Sequence, residues 1–379
     1  MNNFTTDAQN LGVKHAFVNL PITSYMHKSG DSYTVETSGI MGAYDIAIRS
    51  LADSGMNVTV QILNPWGSDV SEFYRCGQNG GASYYSFDSS TPDGAKAMEF
   101  LASYLAKKYK GVVSNWVLGN EVNASAWYYM GAVDKSTYIR EYERSFRIFY
   151  NTIKSENSQA RIFVPFDYAW NMEDLGRQPG PIYSVKGYIN EFNSITAAKG
   201  NIDWGVAYHP YPANMNEPDF WTDNQFAPDQ AGAQVVNFKN LHILTDYMQN
   251  AALLNPAGAV RHIILSEAGF TSQSASRGVT EELQAAAYAY AYYAAEANPH
   301  IEAFMLTRHV DSTAERGQGY AFGLWNAASE SEEVNPPSKK KIYDVFQKID
   351  TGESSSVTDF AKPLIGIESW SQAIPGYSR

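Results

Sequence analysis

Cysteine is almost absent from this chain: Cys76 is the single residue of that type among 379. One cysteine cannot close an intrachain disulfide, and it cannot build a zinc site from several thiolates. We therefore expect Cys76 to be a buried thiol without a chemical role. No Gly-rich phosphate loop follows any apolar run, which removes the usual reason for an open doubly wound sheet. The seven histidines are scattered along the chain, so we expect no metal site, and we expect no cofactor.

Basic charge is also scarce, since 28 Lys and Arg stand against 40 Asp and Glu, giving a net charge of −12. Nucleic acids and anionic membranes attract basic surfaces, so neither is an expected partner. The sequence has no apolar run of about 18 residues, the length that a membrane helix needs. The opening stretch MNNFTTDAQN lacks the features of a signal peptide. We expect either a cytoplasmic protein or a secreted one whose signal peptide has been removed.

Short apolar runs rich in β-branched residues alternate along the chain with longer segments of helical period. The short runs predict seven buried parallel strands, at Ala16–Leu20, Asn57–Leu63, Asn115–Gly119, Arg161–Phe166, Asp203–Tyr208, His262–Ser266 and Ile301–Thr307. The longer segments predict helices near Ile40–Ser54, Pro92–Tyr109, Lys135–Glu156, Ile182–Lys199, Val235–Ala252, Glu281–Ala297 and Ser338–Ile349. Asp134 and Thr280 precede two of these segments as predicted N-caps.

This alternation predicts an α/β fold in a single domain over residues 1–379, a (β/α)8 TIM barrel with long loops on its C-terminal face. The strand count is one short of eight. A short helix beginning at Thr5 leaves Met1–Phe4 as a truncated first strand, and Lys362–Trp370 is the alternative substitute. The longest irregular stretches, Pro65–Ser90 and His209–Gln230, both follow strands, so they overhang the face where barrel active sites form.

Two glutamates follow apolar runs at predicted strand ends. Glu121 lies in LGNEVN, and Glu267 lies three strands later in LSEAGF. In a barrel, both side chains project over the same opening, and paired carboxylates about 5–5.5 Å apart there are suited to retaining hydrolysis of a glycosidic bond. Asn120 lies beside Glu121 and has an amide that suits a hydrogen bond to the neighbouring sugar hydroxyl. We expect a carbohydrate substrate.

These motifs resemble those of the clan of retaining glycoside hydrolases whose catalytic glutamates lie on strands four and seven of a TIM barrel. The resemblance implies that Glu121 is the general acid/base and Glu267 the nucleophile of a double displacement through a covalent glycosyl-enzyme. It implies that His209 and Tyr211, in the HPY that follows the sixth strand, support the nucleophile. It also implies a β-linked, or α-L-arabinosidic, substrate.

Over the whole chain, LGVKHA, GNEVN, YHPYP, LSEAGF and LWN resemble an uncharacterised bacterial family of glycosidase-like proteins within that clan. One feature departs from the clan. Many members have an Arg near the end of strand two, whereas this sequence has Asn19 there. Arg308, at the end of the last strand, is the candidate replacement, with a surface salt bridge as the alternative.

Aromatic residues make up 14% of the chain, with 26 Tyr, 18 Phe and 8 Trp. Flat rings and amides suit the alternating apolar and hydroxyl faces of sugars. Five tryptophans follow strands and are expected at the barrel mouth, namely Trp66, Trp127, Trp170, Trp221 and Trp325. Trp325 is the preferred sugar platform, because the clan often has a Trp there. Further substrate-contact candidates are Asn64, Tyr84, Tyr85, Tyr128, Tyr129 and Tyr168. His309 and Asp311 are expected either to bind sugar hydroxyls or to order loops. So many aromatic residues in long loops predict several subsites, and hence an oligo- or polysaccharide.

Three alternatives remain. An inverting glycoside hydrolase requires its two carboxyl groups to lie about 6.5–9.5 Å apart. A non-catalytic carbohydrate-binding barrel is compatible with the aromatic content, although it gives no reason for both glutamates. A metal-dependent hydrolase requires clustered ligands, and His209, His309 and Asp311 are the residues that the predicted fold brings closest to that arrangement.

Overall fold

The structure is a computed structural model that describes residues Phe4–Arg379. Met1–Asn3, which belong to the predicted truncated first strand, lie outside the described residues. Phe4 begins a helix. In chain order the helices are α1 (Phe4–Asn10), α2 (Gly39–Asp53), α3 (Pro92–Lys108), α4 (Lys135–Glu156), α5 (Val185–Ala198), α6 (His242–Met248), α7 (Glu281–Glu296), α8 (Thr313–Gly317), α9 (Glu330–Val334), α10 (Lys341–Lys348), α11 (Ser354–Thr358) and α12 (Ala361–Ile365).

The strands include all seven predicted ones and several short hairpin strands. In chain order they are β1 (His15–Leu20), β2 (Met26–Ser29), β3 (Ser32–Val35), β4 (Asn57–Ile62), β5 (Val113–Leu118), β6 (Arg161–Phe166), β7 (Trp204–Tyr208), β8 (Ile263–Leu265), β9 (Gln273–Ser274), β10 (Gly278–Val279), β11 (Ile301–Phe304), β12 (Trp325–Asn326) and β13 (Ser338–Lys339). The predicted alternation of strands and helices is therefore confirmed, and the chain is a mixed α/β protein.

The chain forms two compact units, which are described separately. The first unit contains Lys14–Ala207 and Asn250–His262. The second contains the described part of Met1–Val13 together with Tyr208–Gln249 and Ile263–Arg379. The assignment of the whole chain to one domain stays a prediction.

The first unit is built on parallel strands in the order β1, β4, β5, β6 and β7. Strands β4 and β6 carry buried, largely apolar side chains, which is the pattern of a parallel sheet covered by helices. Helix α4 begins at Lys135, and the carboxylate of Asp134 accepts a hydrogen bond from the backbone N–H of Thr137 at 2.9 Å. This confirms the predicted N-cap, which satisfies a donor that the first helical turn leaves open.

The second unit contains β8 and β11 as a parallel pair, with Ile263 opposite Ile301. Beyond the end of β8, the backbone N–H of Ser266 donates to the carbonyl of Tyr208 at 3.1 Å. Helix α7 is rich in Ala and Tyr and is largely buried. Thr280 stands at its predicted N-cap position, but its hydroxyl donates to the carbonyl of Thr271 at 3.2 Å instead of capping the helix.

The helix predicted over Val235–Ala252 is wrong at its start, because α6 begins only at His242. The amide oxygen of Asn240 accepts from the N–H of Asn237 at 2.9 Å, and that of Asn237 accepts from the N–H of Lys239 at 2.9 Å. Such local side-chain bonds offer the backbone an alternative to helical hydrogen bonds.

The strand proposed over Lys362–Trp370 as a substitute first strand is also wrong. Ala361–Ile365 form helix α12, which ends at Gly366 with a positive φ of 85°. Pro363 lies in the first turn of that helix, where a missing N–H carries no penalty. Within the part of the chain that the structure describes, no helix combines the length and the apolar character needed to span a bilayer.

Candidate active site

Glu121 lies in the first unit, just beyond the end of β5. Gly119 precedes it with a φ of 83°, and a Cβ at this position would come within 2.7 Å of the Tyr128 ring. Glu121 itself has a φ of 37°, and it is the one non-glycine residue with a positive φ between Phe4 and Arg379. A left-handed glutamate is strained, and strain of this kind concentrates at functional sites. The chain thus turns abruptly to present this carboxyl group.

Gln61, on the neighbouring strand β4, orients Asn120. Its Nε2 donates to the carbonyl of Gly119 at 2.8 Å and to Oδ1 of Asn120 at 2.9 Å. Because Oδ1 of Asn120 is occupied, the amide NH₂ is the group that Asn120 has to offer a substrate hydroxyl. Sequence reasoning missed Gln61, although a polar residue inside an apolar strand was a visible signal.

Asn64 and Trp66 follow β4 and differ in exposure. Asn64 is 1% exposed, and its Nδ2 donates weakly to the carbonyls of Phe73 and Ser86, both at 3.4 Å. It therefore organises the loop after β4, while its contact with substrate stays a prediction. Trp66 keeps 38% of its surface exposed, which suits the predicted role as a platform.

Trp66 and Trp127 belong to two neighbouring sets of packed rings in the first unit, which contain Tyr85 and Tyr84 respectively. The Trp66 ring lies 4.6 Å from Tyr74 and 5.0 Å from Tyr85, and the Trp127 ring lies 6.2 Å from Tyr84. These rings, together with Tyr129 at 5.7 Å from Tyr85, are called the aromatic group below.

Trp127, like Trp66, is 38% exposed, so each presents a ring surface to solvent and is backed by tyrosines. Trp170 and Tyr128, by contrast, are fully buried, at 1% and 0% exposure. Their expected place among the sugar-contacting residues is wrong, because burial leaves them no accessible face.

A cavity of about 460 Å³ adjoins the aromatic group and is lined by Arg75, Cys76, Gly77, Gln78 and residues 129–133.

Glu267 lies in the second unit, two residues past β8, and is partly buried. The phenol of Tyr211 donates to its Oε1 at 2.7 Å. Tyr211 is 4% exposed and packs against Phe322 at a ring distance of 5.9 Å, so the phenol is held in place. His209 is fully buried, and its carbonyl accepts from the N–H of Tyr211 at 2.9 Å. The pairing of Tyr211 with Glu267 is the contact that the family resemblance implied.

Arg308 follows a cis peptide bond and contacts a carboxylate that sequence reasoning missed. Its Nη2 lies 2.6 Å from Oε1 of Glu315, in the short helix α8. Burial raises the pKa of Glu315, the charges of Glu267 and Asp311 raise it further, and Arg308 opposes the shift. Glu315 thus lies within electrostatic range of Glu267, while direct support of Glu267 by Arg308 stays a prediction.

His309 and Trp325 both contact Asp7 of helix α1. The Nε2 of His309 and the Nε1 of Trp325 lie 2.6 and 2.8 Å from Oδ2 of this carboxylate. Trp325 is only partly buried, so some of its ring remains exposed. Sequence reasoning missed Asp7, because nothing in the pattern of a short N-terminal helix indicates its distant partners.

Asp311 has a structural role. Its carboxylate contacts Nζ of Lys340 at 2.6 Å and Nη1 of Arg316 at 2.9 Å, and it accepts from the N–H of Gly323 at 2.8 Å. Two cations contact Asp311 and Asp7 contacts His309, so two of the three residues named for a metal site have other partners. Among the described residues, His, Cys, Asp and Glu form no cluster of three suited to a metal ion.

Comparison with known proteins identifies relatives by sequence family and by fold. The model of a family described as "Family of unknown function (DUF5722)" matches residues 1–373. Among curated proteins, none is similar in sequence to this chain.

Several solved glycoside hydrolases are similar in structure. A family 39 glycoside hydrolase from Bacteroides cellulosilyticus WH2 has a TM-score of 0.59 at 15% identity, covering 92% of this chain and 60% of that one. A hyperthermophilic beta-glucosidase from Pyrococcus furiosus has a TM-score of 0.60 at 15% identity, covering 96% and 86%. A family 1 b-glucosidase from Thermotoga maritima has a TM-score of 0.58 at 12% identity, covering 92% and 86%.

The predicted resemblance to glycoside hydrolases is thereby confirmed. At 12–15% identity, this similarity is evidence for a shared fold. The chain spans 60% of the length of the first of these structures.

Proposed function

The chain belongs to the family of unknown function DUF5722, and we propose that it is a retaining glycoside hydrolase built on a complete (β/α)8 barrel. Glu267 is the nucleophile and Glu121 the general acid/base in this proposal. The observation that carries it is the hydrogen bond from the Tyr211 phenol to Glu267 at 2.7 Å. A buried tyrosine that donates to a carboxylate beyond a strand end orients one oxygen and leaves the other for attack.

The reaction proceeds in two displacements. An oxygen of ionised Glu267 attacks the anomeric carbon as the bond to the leaving oxygen breaks, and protonated Glu121 gives its proton to that oxygen. A water molecule then attacks the same carbon of the glycosyl-enzyme. Ionised Glu121 takes the proton from this water, and Glu267 leaves as a carboxylate. The stereochemistry at the anomeric carbon is inverted twice and so retained.

Asn120 contacts the sugar beside the reacting centre in this proposal, and Gln61 orients Asn120. With its oxygen bonded to Gln61 at 2.9 Å, Asn120 is oriented to donate to the hydroxyl next to the anomeric carbon. Such a contact strengthens as charge develops in the transition state. The buried amide pair thus supplies a preoriented donor without reorganisation during the reaction.

The aromatic group favours an oligo- or polysaccharide over a small glycoside. Two exposed tryptophan surfaces, Trp66 and Trp127, and a neighbouring cavity of about 460 Å³ lie on the first unit. A cavity of this size lies within the range of small-molecule sites. We propose that these surfaces hold sugar units beyond the one that is cleaved, in a β-linked or α-L-arabinosidic chain.

The decisive test is a panel of aryl glycosides and polysaccharides, with proton NMR of the first-formed anomer. We expect hydrolysis with retention, and loss of activity in Glu267→Gln and Glu121→Gln. Glu99→Gln, at an exposed position of α3, is the matched control and keeps activity. Inversion in the product, or turnover that survives Glu267→Gln, contradicts the proposal. Glycan binding without any turnover instead favours a non-catalytic carbohydrate-binding barrel.

A further inference from the structure

One carboxylate outside the two catalytic candidates collects hydrogen bonds from three distant side chains of the second unit. Asp7 Oδ2 accepts from Nε2 of His309 at 2.6 Å and from Nε1 of Trp325 at 2.8 Å. Its Oδ1 accepts from the phenol of Tyr343 at 2.7 Å. The Asp7 side chain is 16% exposed, so it is a partly buried acceptor shared by three donors.

The indole of Trp325 is held on more than one side. Strand β12 pairs Trp325 with Lys339 of β13, and the Lys339 ammonium lies 5.3 Å from the indole centroid. Tyr343 meets the ring edge to face at 5.4 Å. The hydrogen bond from Nε1 to Asp7 prevents rotation of the indole ring, because turning the ring over would pull the indole N–H away from its acceptor.

The charge of Asp7 is matched to this role. Burial alone raises the pKa of Asp7, but hydrogen bonds from Tyr343, His309 and Trp325, together with the charge of His309, bring it below its usual value. Asp7 is therefore an anion at neutral pH, and bonds to an anion are about twice as strong as neutral ones. The ionisable groups that face the cluster are His309, Lys339 and Asp344.

We propose that Asp7 is a positioning residue that fixes the indole of Trp325 as a sugar platform and holds the His309 imidazole beside it. The inference rests on the proposed function, since Trp325 serves as a platform only if the chain binds sugars. The short helix α1 then belongs to the substrate site through one side chain, although it contributes no group that touches substrate.

The test combines a kinetic readout with one that needs no substrate. In Asp7→Ala, Trp325 and His309 lose their acceptor, so the indole becomes mobile. We expect KM for the best substrate of the aryl-glycoside panel to rise about tenfold, the effect of losing a bond to a charged group, with kcat changed less than about twofold. Acrylamide quenching of Trp325 fluorescence, taken as the difference between each protein and its Trp325→Phe counterpart, should increase.

Two further variants test whether the change in Trp325 quenching follows the loss of the hydrogen bond from Trp325 to Asp7. Asp7→Asn keeps one acceptor oxygen, so its KM and its Trp325 quenching should fall between those of Asp7→Ala and the wild type. If Asp7→Ala does not fold, Asp7→Asn is compared with the wild type in its place. Tyr343→Phe leaves the bond from Trp325 to Asp7 intact, so quenching of Trp325 should stay at the wild-type level. Asp45→Ala removes a carboxylate of α2 that lies 3.1 Å from Arg49, and it is the matched control.

Each failure has a distinct meaning. Unchanged quenching in folded Asp7→Ala or Asp7→Asn overturns the positioning role. An unchanged KM in Trp325→Phe overturns the platform that Asp7 is proposed to position. If the wild type cleaves no member of the panel, the proposed function fails, while the quenching difference still decides whether Asp7 holds the indole.

Discussion

Replacing Tyr211 by Phe removes a single atom, the phenol oxygen that donates to Oε1 of Glu267 at 2.7 Å. The ring itself is 4% exposed and packs against Phe322. Phenylalanine keeps that packing, so the fold should lose little stability. The change therefore isolates the contact between the phenol and the proposed nucleophile.

The magnitude follows from the charge of the acceptor. A hydrogen bond to an ionised group contributes about 1.5–3 kcal/mol. If this bond holds the carboxylate in its reactive orientation, its loss lowers kcat/KM by about 10- to 150-fold, at about 1.4 kcal/mol per factor of ten. The measurement is kcat/KM on the best aryl glycoside, with the thermal midpoint recorded for each protein.

Tyr104→Phe is the matched control. The Tyr104 hydroxyl is buried and has no hydrogen-bond partner among the described residues, so its loss should leave kcat/KM unchanged. A decrease of less than about threefold in Tyr211→Phe would contradict this role of the phenol, because a hydrogen bond to an ionised group contributes about 1.5–3 kcal/mol. An equal decrease in both variants would also refute it.

Three further predictions concern the first unit and the charged surroundings of Glu267. Gln61→Leu leaves the carbonyl of Gly119 and Oδ1 of Asn120 without their donor, so urea unfolding should show a loss of about 2–6 kcal/mol, at about 1–3 kcal/mol for each buried acceptor; a loss under about 1 kcal/mol contradicts the contact. Trp127→Ala should raise KM for a polysaccharide about two- to tenfold and leave kcat/KM for an aryl glycoside nearly unchanged; equal effects on both argue against a distal platform. The pKa of Glu315 is higher in the folded protein than in the unfolded chain. Its protonated carboxyl group therefore stabilises the fold at a pH below the unfolded-state pKa, and this stabilisation is lost as pH rises through the folded-state pKa. Glu315→Gln should therefore weaken the decrease in unfolding free energy as pH rises above 4.5, the ordinary pKa of this carboxyl group, and an unchanged pH dependence contradicts the assignment.

The parts of the fold that the sequence predicted are those governed by local pattern. Apolar runs placed all seven strands, and Asp134 identified the start of α4. The motifs around Glu121 and Glu267 placed both carboxylates beyond strand ends, because a strand that ends in a polar pair is visible without its neighbours.

The failures have particular physical causes. Asn237 and Asn240 bond to nearby backbone groups, so helical periodicity misplaced the start of α6. Gln61 and Asp7 contact partners that lie far away in the chain, such as Trp325, 318 residues after Asp7. Glu315 contacts Arg308 across a turn of irregular chain that carries no periodic signal. Periodicity and local motifs hold no information about such pairs.

The central claim is that Glu267 forms a covalent bond to the sugar. It is tested most directly by incubating the protein with the 2-deoxy-2-fluoro glycosyl fluoride of the sugar that the panel identifies, then locating the adduct by peptide mass spectrometry. We expect a stoichiometric adduct on Glu267 that is absent in Glu267→Gln. An adduct on another residue, or turnover with inversion and no adduct, contradicts it.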